Sequence, residues 1–135
     1  MASGDGAAML AWFDRKVNAL RQNLQEAGKD LSDDISDTTK EFIASRPSAK
    51  SGKAGRIDTG KMYDSVSAEQ VSGSRDEWTF RAGYHNGPKW TPYQEAGFDH
   101  NWSGEHIAGT YALHDAEDLA KAELPRRIKR AVRDT

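Results

Sequence analysis

Apolar residues recur along the first 45 positions at steps of three and four. Leu10, Phe13, Val17, Leu20, Leu24, Ala27, Leu31, Ile35 and Phe42 form one series, with Thr38 filling the single gap. At 3.6 residues per turn they share one stripe of a helix. Asp5 is the expected cap at its start. Pro47 forbids continuation and pushes Arg46 towards an extended conformation. Unbroken, this helix would be about 55–60 Å long. A compact domain of this size is narrower than that. The helix is therefore expected either to break near Gly28-Lys29-Asp30 or to project one end onto another molecule. The stripe itself reads either as an ordinary core face or as a seam between subunits, with Leu10, Phe13, Val17, Leu20 and Leu24 its candidate contacts.

The pattern changes after Ser45. Residues 46–57 form a Ser/Gly/Lys-rich linker with nothing to bury, a segment expected to be mobile unless a partner orders it. Asp58 or Thr59 is placed to cap a short helix through Ser65, with Met62 and Val66 facing inward. Trp78, Phe80, Ala82 and Tyr84 then alternate with Glu77, Thr79, Arg81 and Gly83, the period of a half-buried strand. Ser65–Val71 is the expected partner strand, and 72–75 the turn. Asn86-Gly87-Pro88 is a stop. In "TPYQEAG", Thr91 is expected to cap a helix, Pro92 to take its first position, Gln94 to complete a capping box, and Gly97 to end it. "FDHNWSGEH" reads as a loop. From Ala108 to Val132 a second long helix is expected, burying Ala112, Ala116, Leu119, Ala120, Ile128 and Ala131, with Pro125 kinking or interrupting it.

Composition adds a constraint on size and partners. The 135 residues suit one domain, 1–135, divided into a helical segment (1–45), the linker (46–57), a helix-hairpin-loop region (58–107) and a closing helix with a basic tail (108–135). Only 36% of residues are hydrophobic and 30% are charged, with a mean hydropathy of -0.84. A core this lean is often completed by burial against a sister subunit. The absence of cysteine excludes disulfides, thiolate metal sites and thiol nucleophiles. No apolar run approaches the roughly 20 residues of a membrane span, and the N-terminus does not read as a signal peptide. Acidic stretches (1–45, 62–118) alternate with basic ones (46–61, 119–135). Such alternation suits contacts between copies better than a uniformly basic nucleic-acid surface.

Several stretches have the look of chemistry. Gly55, Gly60 and Lys61 have phosphate-loop spacing, but Met62 stands where a magnesium-binding hydroxyl belongs, and no buried strand precedes it. His100, His106 and His114 each neighbour a carboxylate, yet their spacing matches no common metal motif. A small metal-dependent hydrolase is the weakest reading of the chain. Arg126, Arg127, Lys129 and Arg130 in the tail suit DNA phosphates, a helix C-terminus or an acidic neighbour. With the linker, they make a nucleic-acid-binding module the second reading. Trp90, Tyr93, Phe98 and Trp102 cluster within thirteen residues, dense enough for interface anchors as well as core. No catalytic residue, cofactor site or metal site is assigned.

The order of "DTGKMYDSV", a hairpin, "YQEAGF" and a closing helix resembles the minor tail, tail-completion and head–tail joining proteins of long-tailed phages (siphophages). The motif positions are Asp58, Thr59, Gly60, Met62 and Ser65, then Tyr93, Glu95 and Gly97. "HIAGTYALHDA" departs from the Pro/Arg/Phe-rich lead into the last helix that is usual there. The resemblance implies an α+β fold, with a long N-terminal helix and a C-terminal helix packed on a small hairpin-based antiparallel sheet. It implies a structural virion protein and no enzyme, assembled in the host cytoplasm into a homo-oligomeric ring at the neck. Its neighbours would be connector and tail-tube proteins, and DNA would pass through its lumen without sequence recognition. Acidic residues of the central block are expected to line that lumen.

Overall fold

The computed structural model describes residues 2–46, 60–89, 91–99, 104, 106–107 and 109–135. Residues 47–57 of the linker, Asp58, Thr59, Trp90, His100 and Trp102 lie outside them. The fold is α+β. Helix α1 (Ala2–Ser45) and helix α4 (Ala112–Arg133) form a long antiparallel pair, joined by two short helices and two small hairpins. Helix α2 is Gly60–Asp64 and helix α3 is Thr91–Ala96. Strands β1 (Val66–Gly73) and β2 (Trp78–Tyr84) pair antiparallel, from Val66 opposite Tyr84 to Gly73 opposite Trp78, with an irregularity between Gln70 and Ser72. The turn therefore lies at 74–77, two residues later than expected. Strands β3 (Phe98–Asp99) and β4 (His106–Ile107) make a second, minimal ladder inside the stretch read as a loop.

Helix α1 does not break. Asp5 lies inside it rather than capping it, and Gly28 serves another purpose than a kink. A β-carbon at Gly28 would stand 2.5 Å from the Phe80 ring, so the glycine lets β2 lie directly on the helix. Two stripes run down α1. The apolar one faces α4, where Leu31 and Ile35 line one cleft with Ala116 and Ala120. The second faces the hairpin. Arg21 pairs with Asp76, Gln25 bonds Gln70, and Gly28 meets Phe80. At the same steps of three and four follow Ser32, Ser36, Thr39 and Ile43, all buried. Hydroxyls are affordable there because two of them stay within the helix: Ser32 Oγ donates to the Lys29 carbonyl at 2.8 Å and Thr39 Oγ1 to that of Ile35 at 2.6 Å.

The core is small. Ile43, Met62, Val66 and Ala112 are buried together, with Phe42 and Tyr84 packed around them. Helix α4 buries Ala112, Ala116, Ala120 and Ala131, but Leu119 and Ile128, expected inside, are exposed. The alanines bring α4 so close to α1 that the larger residues flanking them stay outside. Pro125 does not interrupt α4. It costs one backbone hydrogen bond, and the alanine contacts on either side of it hold the helix on.

Contacts along the pair fix its direction. Lys16 Nζ donates to the Thr135 carbonyl at 2.7 Å, and Asn23 to that of Ala131 at 3.2 Å. Arg127 pairs with Asp34, and Arg46 with Asp115 at 2.5 Å. The C-terminus of α4 thus stops beside Lys16, and among the described residues α1 continues alone to Ala2.

Candidate subunit interface

The motif residues that fall in the described region organise the body of the molecule. Met62 is fully buried, and Ser65 turns its hydroxyl back to the Met62 carbonyl at 2.7 Å, closing α2 before β1 begins. At the other motif, Glu95 is a hub. Its Oε1 accepts from the Tyr84 hydroxyl at 2.6 Å and from the Leu113 N–H at 2.7 Å, and its Oε2 from the His114 N–H at 3.4 Å. The carboxylate therefore sits on the first turn of α4, where unpaired N–H groups and the helix dipole favour an anion. Burial, then the bond to Glu95, holds the Tyr84 phenol far above its ordinary pKa. Gly97 is left-handed at φ 83° and donates to the Tyr93 carbonyl at 2.8 Å, ending α3 as expected. Thr91, expected to cap α3, is buried, and its hydroxyl has no hydrogen-bond partner among the described residues.

The departing segment "HIAGTYALHDA" closes this junction by backbone contacts. Gly109 passes so near α3 that a β-carbon would lie 2.3 Å from the Glu95 carbonyl. Tyr111, left-handed at φ 52°, donates its N–H to that same carbonyl at 2.9 Å. Arg46 reaches across from the end of α1 to the Thr110 carbonyl at 3.0 Å and to Asp115. Glu95 and Arg46 were not singled out as a joint from the sequence. Glu95 was named only as a motif position two residues before Gly97, and Arg46 only as the residue before a proline.

The surface candidates separate into three groups. Leu10, Phe13 and Val17 are exposed, Leu10 to 67%, and lie at or beyond the end of α4, whereas Leu20 and Leu24 are half-buried within the body. Met9 and Trp12, absent from the stripe, are exposed beside them, and the Trp12 and Phe13 rings meet edge to face at 5.1 Å. Tyr93 is 57% exposed on α3. Trp90, Trp102 and the Phe98 side chain lie outside the described residues. In the basic tail, Arg127 is half-buried, ties α4 to Asp34 of α1 and pairs with Glu123 one turn back on its own helix. Arg126 pairs with Glu123 at 3.2 Å, and Lys129 and Arg130 face solvent.

Of the other candidate sites only part falls among the described residues, and Gly55 and His100 lie outside them. Lys61 is exposed on α2 while Met62 points into the core. His114 lies near Asp115 and Asp118, with ligand atoms within 4.8 Å of one another, but Asp115 is already held by Arg46. The His106 side chain lies outside the described residues, so His114 is not seen with either of its proposed partners. Among the described residues no helix is long and apolar enough to cross a membrane. Comparison with protein-family models, curated proteins and solved structures finds no match to this chain.

Proposed function

We propose that this chain is a structural subunit of a long-tailed phage virion, one copy of a homo-oligomeric ring in the neck or tail-completion region between head connector and tail tube. The observation that carries the reading is the bare end of α1. Met9, Leu10, Trp12 and Phe13, with Val17 beside the last turn of α4, are solvent-exposed apolar residues on a helix that has outrun its own fold. Monomeric proteins rarely leave so dense an apolar patch in water. The motif order supports the same reading: Met62, Ser65, Glu95 and Gly97 hold the body together rather than face a substrate. The function is mechanical. Subunits bury the bare helix end, present charged rims to the rings above and below, and leave a lumen for DNA. Size-exclusion chromatography with light scattering, combined with a search for the protein in purified virions and their neck fractions, tests it. A strict monomer that is also absent from particles ends the proposal.

A second reading, DNA binding through the tail, is favoured by the exposure of Lys129 and Arg130. Neutralising Arg126, Lys129 and Arg130 together would then flatten the salt dependence of DNA binding. An unchanged slope removes it.

A further inference from the structure

The bare end of α1 has a counterpart on the same molecule. A groove of about 480 Å³ opens between α1, β2 and α4, with Leu31, Phe80, Ala82, Ala120 and Leu124 among its lining residues. Its α4 wall continues along the helix as Ile128 and Val132, both exposed. The chain cannot fill this groove with its own helix end. Leu10 and Leu31 lie on one unbroken helix, about 30 Å apart at about 1.5 Å per residue. The overhang, residues 2–15, is about 20 Å of helix, a length that is marginal in water without packing. Charges match as well: Asp14 flanks the bare stripe, Lys121 lines the groove, and neither has an ion pair among the described residues.

The geometry points to a second copy as the occupant: the overhang of one subunit seats in the α1–β2–α4 groove of the next. Leu10, Phe13 and Val17 meet Phe80, Leu124 and Ile128 there, and Asp14 lies beside Lys121. Trp12 and Phe13, each about half exposed, offer on the order of 150–250 Å² between them. With Met9, Leu10 and Val17 this is a substantial share of the roughly 800 Å² per partner of a specific interface. Giver and receiver are different surfaces, so the contact is heterologous. It repeats from copy to copy until rotation closes it. The inference deepens the ring reading and rests on it for its biological setting.

The chain has no cysteine, which makes crosslinking clean. Leu10→Cys and Leu124→Cys are purified separately, mixed at high concentration and oxidised. The expected product is a mixed disulfide dimer, with neither variant crosslinking alone and the double variant giving a ladder. Dimers of Leu10→Cys with itself would mean that helix ends pair with each other, and overturn the inference. So would no crosslink at any concentration, which would leave the overhang to a different protein. Phe13→Asp is expected to weaken self-association tenfold or more without moving the unfolding midpoint. Asp14→Lys weakens it, and pairing that change with Lys121→Asp restores it. Absence from virions would remove the ring reading while leaving the crosslink result intact.

Discussion

At Glu95 a single carboxylate accepts from a phenol and from two N–H groups of the first turn of α4. Glu95→Ala strands those donors, and a loss of about 1.5–3 kcal/mol of stability is expected by urea denaturation. Tyr84→Phe removes one bond of the set and is expected to cost about 1 kcal/mol. Met62→Ser places a hydroxyl in the centre of the core and is expected to cost about 2–5 kcal/mol, whereas Lys61→Ala leaves both the midpoint and any nucleotide titration unchanged. Burial of Met62 and the left-handed Gly97 were legible in sequence, because each follows from a local rule. The Glu95 hub was not, because its partners lie 11 and 18 residues away on other elements. The same limit hid Arg46, whose visible neighbour was a proline and whose working partner is Asp115. Hydrogen bonding to His114, and next to Arg46, lowers the Asp115 pKa, and the bond to Asp115 raises that of His114. The Asp115 contribution is complete above about pH 4 and is lost as pH falls through its lowered value. The His114 contribution is complete below about pH 6.5 and is lost as pH rises through its raised value. An NMR titration of His114 is therefore expected to give a midpoint above about 6.5, falling back in Asp115→Asn.

On the scale of elements, α1 shows what periodicity reveals and what it hides. The apolar stripe was readable and marks the side that faces α4. The hairpin side was not, because it is built from Ser32, Ser36 and Thr39, which no hydrophobicity pattern selects. Gly28 was legible only as a weak point, and its true role depends on a ring from β2. Leu119 and Ile128 were assigned to the core by period, but contact through small alanines leaves them outside. Gly109 shows a comparable constraint between elements. Gly109→Ala would force the junction away from the Glu95 carbonyl, and a loss well above the roughly 1 kcal/mol of an average substitution is expected in thermal unfolding. The overhang behaves oppositely. Removing residues 2–14 is expected to leave the unfolding midpoint of the body unchanged while lowering the helical circular-dichroism signal.

For the whole molecule, the lean composition and the small core agree. Four fully or nearly fully buried side chains hold together three helices and a hairpin, and ion pairs tie α4 to α1 at Asp34 and Arg46. Residues 47–59 between α1 and α2, and Trp90 and Trp102 of the aromatic cluster, lie outside the described residues. The unbroken helix has one further consequence. One end of α1 is clamped by α4 and the hairpin, and the other reaches outward with no joint between them, so the helix acts as a ruler. Inserting seven residues between Val17 and Asn18 would lengthen its reach by about 10 Å and rotate the stripe by only about 20°. Inserting five would lengthen it by about 7.5 Å and swing the stripe by roughly 140°. In an assembly built through that end, the first change would alter subunit spacing and hence diameter. The second would abolish assembly, and electron microscopy of the two insertion variants would tell them apart.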